Sequence, residues 1–178
     1  MTTANLFRWA DSVEHTLCRR LNRTCGGPVA RNVLVTASRL GDGVFWYCLI
    51  LSMPVVFGQA GLYPALRMAV AGFVGVAVYK YLKSRLVRER PFLSFNGIIA
   101  GAPPLDRYSF PSGHTLHAVS FTLLASASFP YLAWVLVPFA VLVAASRVVL
   151  GLHYPSDVVA GGLIGAGLAL GALRFLPI

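Results

Sequence analysis

The sequence predicts an all-α bundle embedded in a membrane, with about five transmembrane helices preceded by an amphipathic segment. Composition is the first reason: the 178 residues are 57% hydrophobic and 12% charged, with a mean hydropathy of +0.70, outside the usual make-up of a soluble domain. The second is the set of uncharged runs at 43–66, 115–145 and 158–173, where a helical span needs about 20 mostly apolar residues. The third is charge, since fifteen basic residues face six acidic ones for a formal +9. In a membrane setting that balance points to anionic lipid surfaces or anionic substrates. Nucleic-acid binding is excluded, because the chain lacks a soluble basic face. The length fits one domain, divided into an interfacial segment, 1–42, and a transmembrane part, 43–178.

Residues 4–25 carry an apolar stripe at Leu6, Ala10, Val13, Leu17 and Leu21, with Arg8, Arg19, Arg20 and Arg23 on other faces. That is helical spacing, too polar to span, suited to lying on the interface or packing on the bundle flank. Arg8, Asp11 and Glu14 also interrupt the place where a cleavable signal would have its apolar core. After Cys25-Gly26-Gly27-Pro28 a second stripe follows at Val29, Val33, Ala37 and Leu40, and Gly41-Asp42-Gly43 then turns the chain inward. Cys18, Cys25 and Cys48 lack metal-ligand spacing and read as packing residues.

The first span covers roughly 43–58, and the second begins at 61–64 and runs to about Leu82. The run 115–145 is 31 residues long, too long for one ordinary span, and Phe129-Pro130-Tyr131 divides it into a third and a fourth helix. The fifth runs from near Pro155 to Pro177. Its glycines at 161, 165, 167 and 171 make two Gly-x-x-x-Gly spacings, read as close packing within the chain. With five spans, the connections after the second and the fourth fall on the same side of the membrane.

Those connections hold the chemistry. If the second helix continues through Lys83-Ser84-Arg85-Leu86-Val87-Arg88-Glu89-Arg90-Pro91, then Lys83 and Arg90 share a face as two cations; the alternative is a row of interfacial anchors. Pro111-Ser112-Gly113-His114 opens the third span. A helix start there offers free N–H groups, a Ser112 hydroxyl and a glycine that admits an anion, with an imidazole alongside; the alternative is a plain N-cap. His117, one turn on, reads as a packing histidine, and His15 beside Glu14 is given no role. Arg147 ends the fourth span, and His153 stands four residues before Asp157. A carboxylate that accepts a proton from one imidazole nitrogen leaves the other free as a nucleophile.

Together these segments supply Lys83, Arg90 and Arg147 as anion clamps, Ser112 and Gly113 as neutral donors, and two histidines. Transfer of a phosphoryl group needs such clamps, because stabilising its oxygens is most of the task. Two histidines allow one to attack phosphorus and the other to protonate the leaving oxygen. With Asp157 committed to His153, only Glu89 and Asp106 remain nearby, so no metal and no other cofactor are expected.

Lys83 with six residues to Arg90-Pro91, then Pro111-Ser112-Gly113-His114, then Ser146-Arg147 with five residues to His153 and three more to Asp157, resembles the complete three-part signature of the type 2 phosphatidic acid phosphatase (PAP2) superfamily. The similarity covers roughly 41–173. It implies metal-independent dephosphorylation of a lipid phosphate or diphosphate through a phosphohistidine. By position, His153 would be the nucleophile, Asp157 its orienting partner and His114 the general acid, with Lys83, Arg90, Ser112, Gly113 and Arg147 binding phosphate. Undecaprenyl diphosphate, phosphatidate and phosphatidylglycerol phosphate are the implied substrate types. The family usually has six spans, the first of which the interfacial segment would replace here. Transfer to another acceptor, or binding and transport without catalysis, are the competing readings.

Thirteen of the basic residues fall on the site-bearing side, six in 1–42, six in 80–107 and Arg147, against Arg67 and Arg174 on the other. The positive-inside rule alone would put the site in the cytoplasm. The resemblance to bacterial enzymes of lipid carriers favours an inner-membrane protein with a periplasmic site.

Overall fold

A computed structural model describes residues 3–24, 27–104 and 106–176, with side chains from Trp9 onward except Ala10. Leu6, Arg8, Ala10, Cys25, Gly26 and Pro177, named above, therefore lie wholly or in their side chains outside the described residues. The fold is all-helical: α1 (Thr3–Thr24), α2 (Pro28–Leu40), α3 (Val44–Phe57), α4 (Gln59–Arg85), the one-turn α5 (Pro91–Ser94), α6 (Gly113–Ser128), α7 (Ala133–Val149) and α8 (Pro155–Phe175), with a 3-10 turn at Pro130–Leu132 between α6 and α7. Proline starts α2, α5 and α8, where its missing N–H costs nothing.

Among the described residues, Gln59–Arg85, Pro130–Val149 and Pro155–Phe175 are each long and apolar enough to cross a membrane. Pro28–Leu40 and Val44–Phe57 qualify only as a pair, bent by 54° at the glycine corner. Gly43, with φ 131°, makes that bend, a conformation closed to other residues. α6 has 16 residues, about 24 Å of helix, and runs inside the bundle against α4, α7 and α8. Neighbours rather than lipid cover its Leu116, Ala118, Phe121, Leu124 and Ala125. The chain is a multi-pass membrane protein whose outward faces, including Leu51, Val55, Phe73, Trp134 and Leu163, are apolar.

α8 crosses α6 at backbone distance. A Cβ on Gly161 would lie 2.4 Å from the Ser112 carbonyl oxygen, and one on Gly165 2.2 Å from that of Leu116. The first Gly-x-x-x-Gly pair is thus an intramolecular contact, whereas Gly167 and Gly171 have nothing within 4 Å. In the main core the Trp46 ring centroid lies 5.4 Å from that of Phe121 and 5.5 Å from that of Phe139.

α1 docks largely by polar side chains. Val13 and Leu17 of its apolar stripe face outward, at 61% and 47% exposure, while the polar side turns in. Arg88, 2% exposed, donates to Asp11 Oδ1 and Glu14 Oε2, each at 2.8 Å. Asn22 holds the Ile99 and Val149 carbonyls at 2.9 and 3.0 Å. Cys18 is buried as expected, whereas Cys48 is exposed on α3.

Two stability predictions follow from these contacts. Gly165→Val should lower the detergent melting temperature by a ΔΔG of about 1–3 kcal/mol from overpacking, with Gly167→Ala near neutral. Arg88→Met leaves acidic groups buried without their cation and should cost about 3–5 kcal/mol in denaturant unfolding.

Candidate active site

The polar ends of α4, α6, α7 and α8 meet at one end of the bundle, because successive helices alternate in direction. Lys83 lies in the last turn of α4, His114 in the first turn of α6, Arg147 in the last turn of α7 and Asp157 in the first turn of α8. Lys83, Arg90, Gly113, His114, Arg147 and His153 line one cavity of about 980 Å³. From there it runs between α3 and α4 past Trp46, Ile50, Met68 and Val76 to the exposed side chains of Leu51 and Phe73.

Arg90 gets there by a different route from the one expected. α4 stops at Arg85, Leu86 bends the chain, and residues 87–90 are non-helical, with Glu89 bridged to Tyr108. Arg90 itself has φ −78° and ψ 151°, the conformation that a following proline favours. Convergence with Lys83 comes from a shared partner instead of a shared helix face. Lys83 Nζ donates to Asp106 Oδ1 and Oδ2 at 2.8 and 2.7 Å, and Arg90 Nη2 donates to Oδ1 at 2.8 Å. Burial would push the Asp106 carboxyl up, but Lys83 and Arg90 outweigh it and hold the group below the usual range.

Arg90 Nη1 also lies 3.2 Å from His153 Nε2. A guanidinium can only donate, so Nε2 must accept and the imidazole proton falls on Nδ1, which is 3.5 Å from Asp157 Oδ2. Burial, then Arg147, Arg90 and Lys83, depress the His153 pKa well below its ordinary value, so the ring is neutral, with its Nε2 lone pair facing the Arg90 guanidinium at the cavity wall. Arg147, 3% exposed, donates through Nη1 to Ser38 Oγ. Its buried Nε has no hydrogen-bond partner among the described residues. Such a donor normally has an acceptor, and an anion in the cavity would supply one.

Ser112 does not join the cavity. Its buried hydroxyl lies 2.9 Å from Thr115 Oγ1 and accepts from the Thr115 amide at 3.5 Å. There the hydroxyl caps the first turn of α6, beside Gly113 and His114 of the cavity wall. His117 lies between the carbonyls of Gly113 at 2.9 Å and Gly72 at 3.3 Å, at the cavity wall, and the His15 ring lies tilted against Phe95, centroids 4.1 Å apart. Between α5 and α6 the Gly101 amide donates to the Leu150 carbonyl at 3.0 Å, and Asp106 and Tyr108 join Arg90 in the cavity wall.

Behind His153 lies a cluster that the sequence reading missed. Asp157, fully buried, accepts from Arg88 Nη1 at 2.6 Å and from the Tyr154 amide at 2.8 Å. Arg88 also reaches Ser156 Oγ at 2.6 Å and stacks on the Tyr154 ring at 3.9 Å. Glu14 in turn takes the Ser156 amide at 2.8 Å. One signal for this was available: Asp11 and Glu14, three residues apart on one helix face, are two of only six acids in a basic chain.

Comparison with known proteins finds relatives in sequence and in fold. The chain is 30% identical over 141 residues to the undecaprenyl-diphosphatase of Sulfolobus acidocaldarius, covering 77% of this chain and 66% of that one. It is 33% identical over 132 residues to the undecaprenyl-diphosphatase BcrC of Bacillus subtilis, covering 72% and 66%. The chain thus spans just under two thirds of the length of both relatives. The crystal structure of Aquifex aeolicus LpxE superposes with a TM-score of 0.81 at 22% identity, covering 92% of this chain and 96% of that one, which shows the shared fold. The family model described as the PAP2 superfamily matches residues 60–177, from the start of α4 past the end of α8, so the chain belongs to the PAP2 superfamily.

Proposed function

We propose that this protein is a membrane-embedded phosphatase of lipid phosphates or diphosphates that works without metal through a phosphohistidine. The observation that carries the reading is the juxtaposition of the His153 Nε2 lone pair with the Arg90, Lys83 and Arg147 cations, one of which has a buried N–H still unpartnered. Phosphate oxygens held by Lys83, Arg90, Arg147 and the Gly113 amide would present phosphorus to Nε2. The N–P bond forms as the bond from phosphorus to the leaving oxygen breaks, and His114 gives that oxygen its proton. Water then attacks phosphorus, the N–P bond breaks, and His114 recovers a proton from the water. Asp157 holds the Nδ1 proton of His153 throughout. Ser112 serves through its cap, keeping the start of α6 aimed at the phosphate.

The donor set suits metal-free chemistry, because Asp106 is paired with Lys83 and Arg90, and Asp157 with Arg88. The groove between α3 and α4 suits a long apolar tail, and its exposed rim gives a lateral entry from lipid. The relatives' names favour an undecaprenyl-type diphosphate, with phosphatidate and phosphatidylglycerol phosphate as further candidates. Residues 1–42 form an interfacial segment in this reading, with exposed Trp9, Val13, Leu17, Val29 and Val33 toward lipid. Placement in a bacterial inner membrane with a periplasmic site goes with the lipid-carrier reading. Lys83, Arg88, Arg90 and Arg147 are occupied by the site and its support and so weigh little as topology signals.

Purified protein should release phosphate from farnesyl diphosphate or phosphatidate with excess chelator present, and strict metal dependence would overturn the mechanism. His153→Ala should lose at least about 10³-fold in kcat, as removal of a nucleophile does, while His117→Ala keeps most of the activity. Equal losses in the two variants would mean that the nucleophile is misassigned.

A further inference from the structure

The family match begins at residue 60, yet the corner between α2 and α3, well before it, reaches the cavity. Asp42 Oδ1 lies 3.4 Å from His114 Nε2, and both residues line the cavity. The corner is firmly seated. The Gly41 and Asp42 amides bond back to the Ala37 and Arg39 carbonyls at 2.9 and 3.2 Å. A Cβ on Gly41 would lie 2.8 Å from the Val143 methyls of α7, and Ser38, one turn earlier, receives Arg147.

The charges facing His114 are otherwise unfavourable to an imidazolium. Arg147 comes from α7 and Arg90 from the loop before α5, while the neutral His153 ring adds no charge. The nearby carboxylates are engaged, Asp106 with Lys83 and Arg90 and Asp157 with Arg88. Among the described residues, Asp42 is the one carboxylate paired with His114. The distance is a little beyond a hydrogen bond, as is common for catalytic groups before substrate tightens them.

We propose that Asp42 is a positioning residue for His114, holding its ring in place and favouring the protonated form that an alkoxide leaving group requires. The inference rests on the phosphatase reading above. In the first step the P–O electron pair goes to the leaving oxygen, which takes the His114 proton and departs as the alcohol, while Asp42 remains a carboxylate. A substrate whose leaving group is already a stable anion, such as 4-nitrophenolate or a lipid monophosphate, depends far less on that proton. Asp42 therefore matters most for simple lipid phosphomonoesters.

The experiment compares kcat and KM of wild type, Asp42→Asn and Asp42→Glu with two probes, phosphatidate in mixed micelles and 4-nitrophenyl phosphate. Asn matches Asp in size at a half-exposed corner, so the fold should tolerate it, and a melting curve checks this. Asp42→Asn should lose about 10²-fold in kcat on phosphatidate, at the low end for a general acid. That loss should exceed the loss on 4-nitrophenyl phosphate by at least about tenfold, with KM little changed, and Asp42→Glu should restore a large part of it. Wild-type hydrolysis of both probes with equal losses in Asp42→Asn, or no loss on either, overturns the role of Asp42 alone. Wild-type protein that hydrolyses neither probe overturns the phosphatase reading and this inference together.

Discussion

The buried contact between Arg88 and Asp157 ties together parts of the chain that are far apart in sequence. Asp157 opens α8, Arg88 lies in the non-helical run after α4, and Arg88 also grips Asp11 and Glu14 of α1. Burying charges costs several kcal/mol per ion, and the pairing offsets that only when further hydrogen bonds fill the remaining positions. Here they do: the Tyr154 amide takes the second Asp157 oxygen, and Ser156 and the Tyr154 ring complete the surroundings of Arg88. His153 gains a fixed neighbour from this arrangement, because the carboxylate that faces its Nδ1 is itself locked in place by stronger contacts on its other side.

Most of the architecture could be read from local pattern. The uncharged run at 115–145 had to break at Phe129-Pro130, since proline cannot continue a helix and the length exceeds one span. The glycine spacing on α8 announced a close crossing, and the first pair makes it. Lys83, His114, Arg147 and His153 were legible because each stands at the polar end of an apolar run, where a membrane protein has few reasons to put a charge.

What stayed hidden depends on contacts distant in sequence. Arg90 was placed on a helix because Lys83 and Arg90 fit a helical period, and the proline after it wins by forcing extended backbone. Ser112 offered two uses, and the structure shows the local one, a cap on the first turn of α6. Glu14 looked like an ordinary interfacial acid, yet its partners Arg88 and Ser156 come 74 and 142 residues later. Ser38 and Asp42 carry no periodic signal, and their place beside Arg147 and His114 arises only when α2 and α3 fold back at the glycine corner.

The crossing of α6 and α8 also acts as a ruler. Gly161 and Gly165 bring backbone against backbone, and the Ser112 amide bonds to the Asp157 carbonyl at 3.0 Å. The starts of the two helices, with His114 on one and the Asp157 that faces His153 on the other, are therefore spaced by main-chain atoms that have no rotamers. In the proposed reading a lipid tail would pack along the side chains of α3 and α4, while the backbone crossing sets the spacing of the two helix starts. Tolerance for varied hydrocarbon and strictness about phosphorus can then coexist in one small bundle, because different materials, side chain and backbone, set the two dimensions.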